Sequence, residues 1–240
     1  MSNAGTGTAP HSLVIDQPGL ARQINRLPML PRAVIEALRI LRDDAANADA
    51  CADHITRDQA LTARTLRLAN SAFYGLPGRV GTIRHALDVL GRRTLGALVT
   101  TAAVATQVSP SNCPGFDFKA CWRHALGAAI AAESLAIELG RDTGLAFSAG
   151  LLHDIGRLAL VTFFPAQMGA VLAAARAQDL PQRQVERQQL GVDPTQVGGM
   201  IAAHWHFPPA VVTAIVDHHA AQPADLAAMV LRGRCRGARA

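Results

Sequence analysis

Apolar residues recur along this chain at steps of three and four, the spacing that gathers them on one face of an α-helix. One such face, in the segment PRAVIEALRIL, consists of Val34, Ile35, Leu38 and Leu41. Pro31 suits the first turn of that helix, where its missing N–H costs no hydrogen bond. A second face, in TIRHALDVLG, consists of Ile83, Ala86, Leu87 and Leu90, directly before Gly91. Both segments are predicted to be amphipathic helices.

Helical spacing continues up to a loop near the middle of the chain. Asp58 can cap a helix in RDQALTARTLRLANS that ends near Asn70 and Ser71. A further apolar stripe consists of Leu95, Leu98, Val99 and Ala102. The segment VSPSNCPGFD, residues 108–117, has the prolines, glycine and small polar residues of a loop. We place the boundary between two helical lobes there.

Beyond the loop the spacing again predicts helices, over residues 119–139, 146–163, 166–177, 182–190, 195–204 and 209–219. The predicted fold is therefore all-α, a two-lobed helical bundle. Its parts are a disordered arm (1–17), an N-terminal helical lobe (18–110), a connecting loop (111–117), a second helical lobe (118–231) and a basic tail (232–240).

Composition narrows the class of protein. The chain has 240 residues, half of them hydrophobic, which is enough for a substantial core. Charges interrupt every apolar run before it reaches the length of a membrane span, and the N-terminus lacks the pattern of a signal peptide. The four cysteines form no C-x-x-C pair, so we expect neither a disulfide framework nor a thiolate zinc site. We expect a cytoplasmic protein that does not engage a membrane.

The net charge of +5 raises the possibility of a nucleic-acid-binding protein. Four of these charges lie in the tail, at Arg232, Arg234, Arg236 and Arg239. The other 19 basic residues nearly balance the 18 acidic ones, and aromatic residues make up only 4% of the chain. We therefore expect a solvated tail and no nucleic-acid partner.

Several histidines fall on apolar helical faces. His124 is in phase with Ala128, Ala131 and Leu135. His218 extends the stripe of Val211, Val212 and Ile215, with His219 beside it, and His204 continues Val197, Met200 and Ile201. A single inward histidine can be a hydrogen-bonded core residue or a metal ligand, and helical phase alone does not separate the two.

His153 and Asp154 interrupt the apolar segment GLLHDIGRLAL. On a helix, neighbouring residues are separated by about 100°. The pair can therefore converge on one ion only if that ion sits in a groove between helices. Imidazole and carboxylate suit iron, manganese, zinc or nickel, with open positions for water or a phosphate oxygen.

Long motifs in both lobes resemble those of the HDOD domains, bacterial signalling modules related to HD-type metal-dependent phosphohydrolases. The first lobe carries LPMLPRAVIEALRIL and HITRDQALTARTLRLANSAFYGLPGRVGTIRHALDVLG. The second carries WRHALGAAIAAESLA, AGLLHDIGRLAL and ERQQLGVDPTQVGGMIAAHWHFPPAVVTAIVDHH. The resemblance covers roughly residues 20–220 and implies an HDOD domain over residues 18–231 with an HD-like second lobe.

The resemblance also implies a set of metal ligands, which would bind one divalent transition metal ion if the site is kept. Compared with the catalytic HD-GYP relatives, the matching positions are His124, His153, Asp154, His218 and His219. Other positions depart from the catalytic pattern. A further histidine is replaced by Pro194, and a lysine by Arg157. No Gly-Tyr-Pro follows His219.

Two other residues are candidates to replace the missing metal ligands. His204 lies about 15 Å along a helix from position 194, too far for the same ligand position, and is predicted to be structural. Asp225 is a weak substitute for a distal acidic ligand. In LANSAFYG, we expect Asn70 and Ser71 to cap a helix while Phe73 and Tyr74 pack between the lobes; a binding role for Asn70 and Arg67 is the alternative.

The departures favour a non-catalytic signal-transduction or output module that binds a partner protein or a small ligand across the two lobes. The alternative is a metal-dependent phosphohydrolase acting on a nucleotide or cyclic dinucleotide. In that alternative, His124, His153, Asp154 and one histidine of the 218/219 pair hold one ion, and Arg157 steadies the phosphate charge.

Overall fold

The computed structural model describes residues 13–42, 46–70, 78–107, 112–220 and 226–230, and every regular element in these ranges is a helix. The N-terminal lobe contains α1 (Gln17–Arg26), α2 (Arg32–Arg42), α3 (Ala48–Thr56), α4 (Gln59–Ala69) and α5 (Ile83–Gln107). The C-terminal lobe contains α6 (Phe118–Glu138), α7 (Thr143–Leu152), α8 (Ile155–Phe163), α9 (Pro165–Ala177), α10 (Gln182–Leu190), α11 (Pro194–His204) and α12 (Pro209–Asp217). The all-α prediction is confirmed.

Aspartate side chains begin several of these helices. Asp58 accepts a hydrogen bond from the Leu61 N–H (2.9 Å) at the start of α4, as predicted. Asp142 does the same for Leu145 (2.8 Å) at the start of α7. These caps satisfy N–H groups that have no partner within the helix, which fixes where each helix begins.

Gly91 interrupts α5. Its φ of 78° lies in the left-handed region, so the helix that begins at Ile83 is kinked there before its second part continues to Gln107. Glycine adopts this conformation without the steric cost that a side chain would add. The predicted end of a helix at Gly91 thus corresponds to a kink between two helical segments.

The structure differs from the sequence prediction at both ends of the fold. Helices α1 and α3 and the helical residues 226–230 were not predicted. Within the arm predicted to be disordered (1–17), Ile15 is buried and donates its backbone N–H to the Leu190 carbonyl (2.8 Å). The last residues of the arm therefore belong to the folded body.

Two positions predicted on buried faces are wrong. The side chain of Ile35 on α2 is 48% exposed, and that of Met200 on α11 is 41% exposed. Other members of the same stripes are buried, with Val34 and Ile201 both at 1% exposure. Each exposed side chain lies at the edge of a stripe, where helical phase separates buried from exposed positions least sharply.

Asn70 ends α4 and closes the loop that follows it. Its amide donates to the carbonyls of Leu66 (3.0 Å) and Val80 (2.7 Å) and accepts the Val80 N–H (2.9 Å). All the strong hydrogen-bonding groups of the side chain are therefore used within the lobe. This supports the structural role predicted for Asn70, and Arg67 one turn earlier is exposed.

The two lobes are joined through the end of α11. His204 Nε2 lies 3.1 Å from the Leu27 carbonyl oxygen, and the indole N–H of Trp205 donates to the Pro28 carbonyl (3.1 Å). Trp205 is buried. The structural role predicted for His204 is therefore confirmed, because its ring is used to hold the N-terminal lobe.

The stretch Thr143–Phe163, which spans α7 and α8, is long and apolar enough to cross a membrane by length and composition alone. In the fold, 78% of its apolar window is buried by other helices. This degree of burial is typical of a helix pair in a protein core.

Some predictions fall on residues outside the described ranges. They concern Ser71, Phe73, Tyr74, Asp225, the first part of the loop at 108–111 and the basic tail at 232–240. These predictions remain untested.

Candidate metal and ligand site

His153 and Asp154 lie in a turn between α7 and α8. The prediction of one continuous helix over residues 146–163 is therefore wrong. Asp154 has φ −101° and ψ 16°, outside the helical region, and α8 begins at the next residue. The turn brings a ligand atom of each side chain to one site, with His153 Nε2 3.4 Å from Asp154 Oδ2.

The close approach of α11 to α8 supports this turn. A Cβ on Gly156 would lie 1.9 Å from the Pro194 carbonyl oxygen and 2.4 Å from the Gly198 nitrogen. A side chain at this position would collide with backbone, so the glycine two residues after Asp154 allows the helices to meet. Pro194 forms the buried first turn of α11, capped by Asp193.

Three of the predicted ligands come together in the C-terminal lobe. His124 Nε2 on α6 lies 3.2 Å from His153 Nε2, and Asp154 Oδ2 lies 3.4 Å from His153 Nε2 and 3.9 Å from His124 Nε2. One ligand atom from each residue lies within 4.8 Å of the others. His153 is 1% exposed, whereas the His124 side chain is 32% exposed. The group therefore faces the surface on the His124 side.

His218, the residue that follows α12, completes one side of this group. Its Nε2 lies 3.9 Å from Asp154 Oδ1, and its ring centroid lies 5.1 Å from that of His153. The ring is fully buried, and its Nε2 has no hydrogen-bond partner among the described residues. Burial lowers the pKa of His218 to about 3, so the ring is neutral at physiological pH.

The orientations of the two buried histidines follow from their second nitrogens. His153 Nδ1 lies 2.7 Å from the Gly150 carbonyl, and His218 Nδ1 lies 2.7 Å from the Ile215 carbonyl. A carbonyl only accepts, so Nδ1 carries a proton in both rings. In the neutral His218 ring the Nε2 lone pair faces Asp154, and His153 Nε2 lies between His124 Nε2 and Asp154 Oδ2. This is the arrangement by which proteins usually orient histidine ligands.

His219 is placed differently from the other predicted ligands. Its ring stacks on His218 with centroids 4.2 Å apart. It is not part of the group of three whose ligand atoms lie within 4.8 Å. Of the 218/219 pair, His218 is therefore the residue whose nitrogen faces Asp154.

Arg157 contacts the same carboxylate from the other side. Its Nη1 lies 2.8 Å from Asp154 Oδ2, and its Nε and Nη2 donate to the two oxygens of Glu186 (2.9 and 3.2 Å). Burial alone would lower the pKa of Arg157, but Asp154 and Glu186 raise it above its ordinary value. The guanidinium is thus a permanent charge bound between two carboxylates.

Glu186 and Gln182 on α10 were not identified from the sequence. Glu186 is fully buried and also accepts a hydrogen bond from the Gln182 amide (2.6 Å). A signal was present, because Glu186 shares a helical face with the buried Leu190 four residues later. A carboxylate on the apolar face of a helix is buried and therefore needs a charged or hydrogen-bonded partner. Arg157 is the charged partner of Glu186.

A pocket of 510 Å³ opens above this group and is lined by Asp154, His124, Arg157 and Cys121 together with residues of the connecting loop, α9 and α10. It lies within the C-terminal lobe, not between the lobes. Burial, assisted by the charge of Asp154, raises the pKa of Cys121 to about 11. Cys121 is therefore a neutral thiol at pH 7, unlike the thiolate that binds metals.

The donor set fits a single divalent transition metal ion. The Nε2 atoms of His153 and His218 face the Asp154 carboxylate, and His124 lies beside them. The unpartnered Nε2 of His218 is a buried acceptor that a cation would satisfy.

Comparison with known proteins places this site in a family. The profile of the HDOD domain matches residues 27–221. A crystal structure of a candidate phosphohydrolase from Shewanella amazonensis SB2B is 33% identical, with a TM-score of 0.72 over 92% of this chain and 80% of that one. An HDOD domain protein of unknown function from Geobacter sulfurreducens is 27% identical, with a TM-score of 0.74 over 90% of this chain and 76% of that one.

A curated relative extends beyond the matched region. An uncharacterized protein of Treponema pallidum (strain Nichols) is 24% identical over 202 residues, which are 83% of this chain but 39% of that protein. The chain therefore spans well under half of that relative. The matched region includes α2 to α12, and the chain belongs to the HDOD domain family.

Proposed function

We propose that this protein is a non-catalytic signal-transduction module that binds a small ligand in the pocket above Asp154. The observation that carries the proposal is the Arg157 guanidinium on the Asp154 carboxylate, at 2.8 Å. Asp154 is the only carboxylate in the group of three clustered ligands within the described residues. Its charge is already compensated by the protein itself.

Arg157 is poorly suited to move during a reaction. It is tied to Glu186 through two hydrogen bonds, and the Glu186 side chain is fully buried. An arginine remains charged and cannot exchange a proton at neutral pH. At the Asp154 carboxylate, Arg157 therefore supplies fixed charge and no proton transfer, which favours binding over turnover.

The pocket is of the right size for a small ligand. Ligand sites commonly have volumes of about 300–1,000 Å³ and combine apolar walls with a few polar groups. Here Phe116, Leu172 and Leu180 supply apolar wall, while His124, Asp154 and Arg157 lie together on one part of the lining. A small molecule bound in this pocket would contact His124, Asp154 and Arg157 directly.

A metal-dependent phosphohydrolase is the second candidate, and the unpartnered Nε2 of His218 favours it. A metal ion bound in such a site would supply an activated water as nucleophile. His124, His153, Asp154 and His218 would hold it. For a phosphate oxygen, Arg157 has N–H groups beyond the three that donate to Asp154 and Glu186, and Arg176 also lines the pocket.

A hydrolysis assay distinguishes the two candidate functions. Purified protein, incubated in turn with Mn²⁺, Fe²⁺, Ni²⁺ and Zn²⁺, is given bis(p-nitrophenyl) phosphate and a cyclic dinucleotide. We expect no hydrolysis above that of a His153→Ala sample. Hydrolysis that His153→Ala abolishes would contradict the proposal and establish the second candidate. An Arg157→Lys variant, assayed in parallel, tests whether the arginine is what prevents turnover.

A further inference from the structure

We propose that Arg157 is a built-in competitor that keeps the metal affinity of the Asp154 site low. This inference rests on the proposed binding function, because it concerns what the same site accepts. Arg157 occupies the oxygen of Asp154 that lies nearest to both His124 Nε2 and His153 Nε2, which is Oδ2. A cation that used these two nitrogens and this oxygen would meet the guanidinium there.

Charge is the first reason for competition. Arg157 places a positive charge 2.8 Å from Asp154 Oδ2, in a site where the Arg157 side chain is 15% exposed and that of Asp154 11% exposed. Water screens charges poorly in such surroundings. A divalent ion bound to Asp154 is therefore repelled by the guanidinium.

Hydrogen bonding is the second reason. The neutral His218 ring, protonated on Nδ1, cannot donate from Nε2 to Asp154. Arg157 Nη1 does donate to Asp154 Oδ2, at 2.8 Å. The arginine thus stabilises the carboxylate in the metal-free site, and this stabilisation has to be replaced when an ion enters.

Glu186 holds Arg157 in this position and moderates its charge. The carboxylate of Glu186 receives two hydrogen bonds from the guanidinium, so the charge is shared between two acids. Without Glu186, the full positive charge of Arg157 would act on Asp154. Changes at positions 157 and 186 are therefore expected to move metal affinity in opposite directions.

Arg176 provides a matched control. It lines the same pocket and is a second positive charge, but it donates a hydrogen bond to the Gly115 carbonyl (2.6 Å). If positive charge anywhere in the pocket weakened metal binding, removal of either arginine would have a similar effect. If contact with Asp154 is what matters, only Arg157 has a large effect.

The test is a calorimetric titration of metal-free protein with Mn²⁺ and with Zn²⁺. We expect Arg157→Gln to lower the dissociation constant about 10- to 100-fold, the range in which groups hydrogen-bonded to metal ligands act. Glu186→Gln should raise it, and Arg176→Gln should leave it within about threefold of wild type. His153→Ala defines the background.

Arg157→Gln leaves the buried Glu186 without its partner and can compromise folding. The double variant Arg157→Gln/Glu186→Gln removes both charges together and should also bind metal more tightly than wild type. Weaker or unchanged binding in both variants would overturn the proposal, because Arg157 would then support the ion or have no effect on it. Absence of binding that depends on His153 in every variant would overturn it as well. The titration contains no substrate, so the hydrolysis that would contradict the proposed function does not enter its outcome.

Discussion

The two lobes each contain a polar cluster built on motif residues, and the clusters differ in how completely their hydrogen-bonding groups are used. In the N-terminal lobe, Asn70 makes three hydrogen bonds to Leu66 and Val80. In the C-terminal lobe, the buried Nε2 of His218 lacks a hydrogen-bond partner among the described residues, while Asp154 is reached by Arg157.

This difference separates a structural cluster from a binding site. A satisfied network stabilises one conformation and has nothing to offer a ligand. An unsatisfied buried acceptor costs free energy, and at the Asp154 cluster a cation held by the neighbouring ligands would satisfy it. We therefore assign a structural role to the Asn70 cluster and a binding role to the cluster at Asp154. The predictions below test that contrast.

The largest expected effect concerns the helix contact that supports the binding cluster. Gly156→Ala places a methyl group 1.9 Å from the Pro194 carbonyl oxygen, so α8 and α11 must separate. We expect a loss of about 3 kcal/mol in the free energy of unfolding, measured by urea denaturation. Gly144→Ala, whose Cβ would come no closer than 3.4 Å to a neighbour, is the control. Equal effects of the two changes would contradict the importance of this contact.

Disruption of the Asn70 cluster should lower the free energy of unfolding by nearly as much. Asn70→Ala leaves both the N–H and the carbonyl of the buried Val80 without their side-chain partner. We expect a loss of about 2 kcal/mol in urea denaturation and no change in metal binding. Arg67→Ala, at an exposed position on the same helix, should stay within about 0.5 kcal/mol of wild type. A change in ligand or metal binding on either substitution would instead support a binding role for this segment.

Acid should weaken the metal-free protein through His218. Burial lowers its pKa to about 3, from an ordinary 6.5. Between these values the unfolded chain binds a proton that the folded protein does not, so stability is full above pH 6.5 and falls as the pH decreases toward 3. By pH 5 we expect a loss of about 1–2 kcal/mol. In His218→Gln this part of the pH dependence should be missing, and an unchanged profile would contradict the assignment.

The smallest effect is expected at the junction of the lobes. Trp205→Phe keeps a buried ring but removes the N–H that donates to the Pro28 carbonyl. We expect a loss of about 1 kcal/mol in urea denaturation. Trp122→Phe, at a partly buried position, is the matched control and should be nearly neutral. If both substitutions were neutral, the hydrogen bond from Trp205 would not stabilise the junction.

Much of the fold was predictable because helical phase and capping are local properties. Asp58 begins α4, Asn70 ends it, and Gly91 marks the kink in α5, all near the predicted positions. The buried placement of His218 also followed from the phase of its apolar neighbours, whereas His124, expected to point inward, is 32% exposed at the pocket. These features depend on residues within a few turns of each other.

The remaining features depend on contacts between distant parts of the chain. The break at His153 was hidden because Leu151, Leu152, Ile155 and Leu158 are all buried, so apolar residues on every side obscure where one helix ends. The ion pairs of Arg157 could not be predicted either, because Glu186 lies on another helix, 29 residues away. Helical spacing carries no information about which helices meet.

The contrast between the two clusters is tested most directly by thermal unfolding of metal-free protein with and without added Zn²⁺. An ion that binds only the folded state raises the unfolding temperature. We expect Zn²⁺ to raise it in wild type and in Asn70→Ala, and to leave it unchanged in His153→Ala. An equal rise in His153→Ala, or no rise in wild type, would contradict a binding role for the cluster at Asp154.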